Sequence, residues 1–247
     1  MSRRVVSIAL FVTATAVMAL VLHQLPDGIT MERHGLLPVF ALTPSRAEVD
    51  SVVAARRAVL DRVGDGDTYL PTMLAQRDSF LFRWPERNAR PLQVYVRKDG
   101  AYVWEFERPV REAFARWQEF GGIPVLFRFL ADPVDAEIVV QWADSIAPVD
   151  GKSPAGTTAM DGTSDGWYRN GIVTIAVRHL GSARLRAPQD IHATALHEVG
   201  HVLGLLHSDR PEDVMWGTGA RDISARDLRT LRLLYDLPPG WLSLAVW

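Results

Sequence analysis

The chain of 247 residues contains no cysteine. Disulfides, cysteine-ligated metal sites and thiol chemistry are thereby excluded, and any extracytoplasmic domain must be held by its core alone. Charged runs are scarce as well. Twenty-seven basic and 29 acidic residues leave a net charge of −2, and no basic run exceeds two residues, so nothing in the chain predicts a nucleic-acid partner. With 48% of its residues apolar, the chain has ample material for a sizeable core. Long hydrophobic runs are missing with one exception at the amino terminus.

That exception extends from Val5 to Leu22 behind Arg3 and Arg4, with only Ser7, Thr13 and Thr15 as mild interruptions. It is long enough for a marginal membrane span, and the small residues Ala14, Ala16 and Ala19 would also suit a cleaved export signal. Residues 1–24 are therefore expected to be a signal peptide or a signal anchor. Either route carries the rest of the chain out of the cytoplasm, secreted or tethered to the membrane by the uncleaved segment. From Leu25 to Ala47 proline and glycine dominate without periodicity, as in a linker. A helix is predicted from Ala47 to Val63, where Val49, Val52, Val53, Val59, Leu60 and Val63 recur at helical spacing until GDGD at Gly64. Residues 25–90 are expected to hold this linker and a helical accessory or pro-segment, and the Pro and Arg cluster near Asn88–Pro91 sets the boundary of a domain over residues 91–247.

The densest information lies between His197 and His207, in HEVGHVLGLLH. On a helix His197 and His201 stand one turn apart on the same face, so two imidazoles can share one metal ion, with Glu198 beside them. Gly204 can adopt the left-handed conformation that ends a helix and turns His207 back toward the same ion. A bare HExxH arises by chance in on the order of one percent of chains this long, and the glycine and third histidine lower that roughly a thousandfold. Coincidence is thus a poor explanation. The spacing predicts one catalytic Zn2+ on His197, His201 and His207, with an open position for water and Glu198 as general base.

HExxHxxGxxH followed by a methionine turn, here Met215 in EDVMW, resembles the signature of the metzincin metalloproteases, and Ser208 after the third histidine makes it most similar to the matrixins. ADPVDAEIVVQWAD from Ala131 and ISARDLRTLRLLYDL from Ile223 extend the resemblance to the third strand and the closing helix of a matrixin catalytic domain. The resemblance implies an endopeptidase acting on protein or peptide substrates, with Met215 as an apolar floor beneath the ligands. Three departures stand out. Trp216 and Gly217 follow Met215 where matrixins usually carry a proline two residues on. Between Gly151 and Leu180 only His179 is available for the additional structural zinc of animal matrixins, so one zinc is expected. Without cysteine, the latency switch of many family zymogens cannot operate.

Periodicity adds a strand at LQVYVR from Leu92, a helix from Val103 to Phe120 with Trp104, Val110, Phe114 and Trp117 inward, and strands at Val125–Leu130, Ala136–Trp142, Gly156–Met160 and Gly171–Val177. The zinc helix is expected to begin near Pro188, where proline suits a first turn. The order resembles the α+β matrixin plan, a twisted mixed sheet with a long helix, an active-site helix and a carboxy-terminal helix. In that plan the strand from Ala155 to Met160 is the sheet edge that pairs with an extended substrate, and a pocket from Val214 to Thr218 with the loop toward Arg221 selects a side chain. DGTSDG from Asp161 has the spacing of a Ca2+ turn, a frequent feature of the family, but lacks the later glutamate of an EF-hand; a plain turn is the competing reading. Asp209 and Asp213 are open between support of the site and a solvated loop. His179 and His192 are read as loop and surface or core residues. Two other functions compete with a protease: a membrane-tethered binding module using zinc as a staple, and a zinc amidase or esterase acting on non-peptide substrates.

Overall fold

The computed structural model describes residues 67–78, 80–87, 90–120, 125–148, 151, 153–217 and 222–241. The amino-terminal apolar run and the helix expected over Ala47–Val63 lie outside the described residues, within which no helix is long and apolar enough to cross a membrane.

The described chain runs α1 (Leu70–Gln76), β1 (Phe80–Leu81), β2 (Leu92–Val96), α2 (Trp104–Glu119), β3 (Phe127–Phe129), β4 (Ile138–Ala143), β5 (Gly156–Gly162), β6 (Tyr168–Ala176), α3 (Pro188–Val202), a 3-10 turn (Val214–Trp216), α4 (Ala225–Asp236) and β7 (Gly240–Trp241). Five strands form one sheet in the order β3-β2-β4-β6-β5. The pairs among β3, β2, β4 and β6 are parallel and β5 is antiparallel to β6, which makes the sheet mixed and leaves β5 at its edge. This is an α+β domain.

Alternation decides which face packs. In β2 the residues Leu92, Val94 and Val96 are buried and in β4 Ile138, Val140 and Trp142, each two apart, so one face of the sheet meets the helices. α2 supplies Phe106, Val110, Ala113, Phe114 and Trp117 at three- and four-residue steps. Trp104, expected inward, is 73% exposed. It lies two residues before Phe106, about 200° around the helix, so the face that buries Phe106 turns Trp104 out. Trp117 crosses to α3, its indole Nε1 donating to Leu196 O at 3.0 Å. The strand and helix bounds depart from those expected by at most three residues, the most at β6, which starts at Tyr168 rather than Gly171.

Residues 67–87 are docked on this core. Tyr69, Leu70, Met73, Leu81 and Trp84 are at most 2% exposed, Trp84 Nε1 donates to Val202 O at 2.7 Å, and β1 pairs antiparallel with β7. Arg83 donates to Leu237 O at 2.9 Å while stacking over Trp167. The ends of the described unit are thus tied to each other. DGTSDG forms the turn of the β5–β6 hairpin: Gly166 N donates to Thr163 O at 3.1 Å and Thr163 N to Trp167 O at 2.8 Å, which accounts for its glycines and short polar residues.

Candidate metal centre

α3 starts at Pro188, whose fixed φ and absent N–H suit a first turn. It ends in a Schellman motif: Gly204 N donates to His201 O at 3.0 Å and Leu205 N to Gly200 O at 2.9 Å, with Gly204 at φ +106°. A side chain at Gly204 would be strained, and its Cβ would sit 2.7 Å from Phe82 O. This turn sends the chain back so that His207 faces the helix. One ring nitrogen each of His197, His201 and His207 lies within 4.8 Å of the others. Among the described residues this is the one group of three or more histidine or acidic side chains whose ligand atoms converge so closely.

The second nitrogens settle the chemistry of the rings. His197 Nδ1 is 2.7 Å from Val214 O and His201 Nδ1 is 2.8 Å from Leu205 O. A carbonyl oxygen only accepts, so both Nδ1 atoms are assigned the proton, and each Nε2 presents a lone pair. Those two Nε2 atoms stand 3.1 Å apart. Two lone pairs at that distance repel unless a proton or a cation lies between them. A proton is disfavoured: burial holds His197 down at about 4 and His201 at about 3, and His207 is lowered by burial too. Three neutral imidazoles facing one point could hold one metal ion, and they match the donor set used by zinc.

Glu198 is 4% exposed, and burial pushes its carboxyl up to about 7 against the lowering effect of the Thr158 hydroxyl, which donates to Oε2 at 2.7 Å. Thr158 lies on β5, the edge strand. Gly156 on the same strand leaves room for the carboxylate, since a Cβ there would lie 2.7 Å from Glu198 Oε1 and 2.8 Å from its Cγ. Neither residue was singled out for this purpose in the sequence, because strand and helix meet only in three dimensions.

Met215 is fully buried beneath α3. A Cβ on Gly200 would run into its Sδ and lie 3.1 Å from its Cε, so the glycine between the two helix histidines is what admits the methionine. Gly217, two residues past Met215, has φ +95°, which a proline cannot adopt; the departure from the family pattern is therefore a different backbone path. Of the expected pocket, residues 218–221 lie outside the described residues.

The turn is held from below by two acids. Asp213 is 2% exposed; its carboxylate accepts from Ser208 Oγ at 2.6 Å, Ser224 Oγ at 2.7 Å and Arg226 at 2.6 Å. It braces the turn rather than an imidazole. Asp209 is the exposed partner of Arg226 at 2.6 Å. Asp227, fully buried, accepts from Val214 N at 2.9 Å, Ser224 N at 2.8 Å and Tyr69 Oη at 3.0 Å. It was missed, although Ser224-x-x-Asp227 is a readable capping box. His179 is an exposed residue after β6, and His192 lines an open pocket with Glu105, Arg108 and Glu112 between α2 and α3; neither joins the trio.

The matrixin family model matches residues 94–235. Metalloendoproteinase 5-MMP of Arabidopsis thaliana is 26% identical over 176 residues, covering 64% of this chain and 47% of that protein. Metalloendoproteinase 2-MMP of the same plant is 26% identical over 175 residues, covering 64% of this chain and 44% of its own. The chain spans about half the length of the curated relatives it matches.

Proposed function

This chain belongs to the matrixin family, and we propose that it is a zinc-dependent endopeptidase in which His197, His201 and His207 hold one metal ion and Glu198 is the general base. The observation that carries this reading is the convergence of three imidazoles, two of which aim Nε2 lone pairs at each other across 3.1 Å with His207 completing the trio. The names of both relatives, metalloendoproteinases, point the same way. Held by His197, His201 and His207, zinc would supply Lewis acidity, lowering the proton affinity of water and polarising the scissile carbonyl.

The chain's own residues do the rest. Thr158 occupies Glu198 Oε2, which leaves Oε1 to take a proton from the attacking water and to pass it to the departing amine. Burial makes this carboxylate a better base than a solvated glutamate. The outer edge of β5 has no strand partner in the described sheet, and an extended peptide pairing there runs beside Glu198, because Gly156 and Thr158 both abut that carboxylate. Backbone pairing serves many sequences, so the substrates are proteins or peptides of no single sequence.

The folded catalytic unit takes in the segment from Asp67 together with residues 91–247, behind a linker with a helical accessory or pro-segment and an export signal or anchor over residues 1–24. Arg3, Arg4 and the apolar run after them support export from the cytoplasm, with membrane attachment if that segment stays uncleaved.

Glu198→Ala tests the reading. The variant should bind zinc like its parent while hydrolysis of an unfolded protein falls by roughly 10²–10⁴-fold. Hydrolysis that survives the substitution refutes the assignment of the base. Loss of activity on a casein-like protein in a chelator, with no comparable turnover of small acyl amides, separates an endopeptidase from an amidase.

A further inference from the structure

We propose that Gln76, which lies outside the stretch matched by the family model, is a positioning residue for the third histidine; the inference rests on the zinc reading above. The three rings are not held alike. His197 and His201 are each fixed from behind by a carbonyl that accepts from Nδ1, Val214 O and Leu205 O. His207 is exposed, and its ring has no such acceptor among the described residues. Apart from its contacts with the other two rings, its placement therefore depends on its backbone. That backbone is pinned on one side by Ser208 N donating to Met215 O at 2.9 Å, and on the other by Gln76 Nε2 donating to His207 O at 2.9 Å.

The donor comes from a fixed platform. Gln76 is the last residue of α1, whose Leu70 and Met73 are buried in the core. Tyr69, just before the helix, donates through its backbone N to Thr230 Oγ1 at 3.1 Å and through its hydroxyl to Asp227 at 3.0 Å. Asp227 in turn receives Val214 N, next to the Met215 that anchors Ser208. Gln76 thus clamps His207 to the same frame that carries the other two ligands. A ligand whose ring is free to wander loses metal affinity, because the ordering must then be supplied on binding.

The test uses the full chain with Gln76→Ala and Gln76→Glu. Alanine is a good helix former and removes only the donor; glutamate keeps the length but turns a donor into an acceptor facing His207 O. Loss of one hydrogen bond of ordinary worth should weaken zinc affinity about fivefold in Gln76→Ala, measured by chelator competition, and at least as much in Gln76→Glu. The visible absorption of the cobalt-substituted protein should shift in both, while the melting temperature of the metal-free protein stays within about two degrees, since the bond is exposed. Zinc affinity within twofold of the parent in Gln76→Ala, with an unchanged cobalt spectrum, overturns the proposal. A parent chain that binds neither metal would instead refute the zinc reading itself.

Discussion

Gly200→Ala is the sharpest test of how the centre is packed. By helix propensity alone the change should stabilise α3 by about 1 kcal/mol. The added methyl, however, points at Met215, colliding with Sδ and lying 3.1 Å from Cε, with Trp117 Cζ2 at 3.3 Å closing the other side. Met215 is fully buried, as is Trp117, so the thioether can give way only by repacking against buried neighbours. Overpacking of this kind costs about 1–3 kcal/mol, to which the residue's propensity gain must be opposed. The balance is a net loss of up to about 2 kcal/mol, or a fall of as much as roughly 8 °C in Tm for a unit of this size. Displacing Met215 also drags on Val214 O, the acceptor for His197 Nδ1, so zinc affinity should fall with stability. The assay is thermal melting of metal-free and zinc-loaded protein in a double-mutant cycle with Met215→Ala, in which Gly200→Ala should become neutral or stabilising. A higher Tm for Gly200→Ala in the parent background, or an equal loss in both backgrounds, would refute the argument.

Two further outcomes follow from burial. In metal-free protein the folded-state imidazoles are depressed to about 4 at His197 and about 3 at His201, so the unfolded chain takes up protons first, near its ordinary value of about 6.5. The stability contributed by keeping these rings neutral is complete above pH 6.5 and is lost as pH falls toward 4; a Tm that stays flat across that window would count against the buried, neutral trio. A chain shortened to begin at residue 91 lacks Tyr69, Leu70, Met73, Leu81 and Trp84, whose burial contributes on the order of 10 kcal/mol, as much as a typical domain's whole stability. It should show no cooperative melt by circular dichroism, whereas a chain beginning at residue 67 should melt cooperatively.

The residues that act on their neighbours along the chain were legible before any fold was known. Spacing of four along a helix placed His197 and His201 together, and the need for a left-handed residue identified Gly204 as the turn that returns His207, because both are properties of a single segment of backbone. Alternation likewise revealed β2 and β4, and the mixed sheet was implied by the resemblance to the matrixin plan. Trp104 was misplaced because an apolar residue at the start of a helix belongs to whichever face the later residues bury.

Tertiary structure alone decided the supports of the centre. Thr158 and Gly156 matter because the edge strand passes Glu198, Gly200 because Met215 fills the space beneath it, and Gln76 because a helix over 100 residues away in sequence is docked beside His207. Asp213 and Asp227 look like ordinary loop and helix acids until burial turns them into acceptors for the methionine turn. The chemistry proposed for the site was written in eleven consecutive residues, since ligand type and helical spacing are local. Its rigidity was not, since contacts between distant segments depend on how the layers pack and leave no periodic trace in either segment.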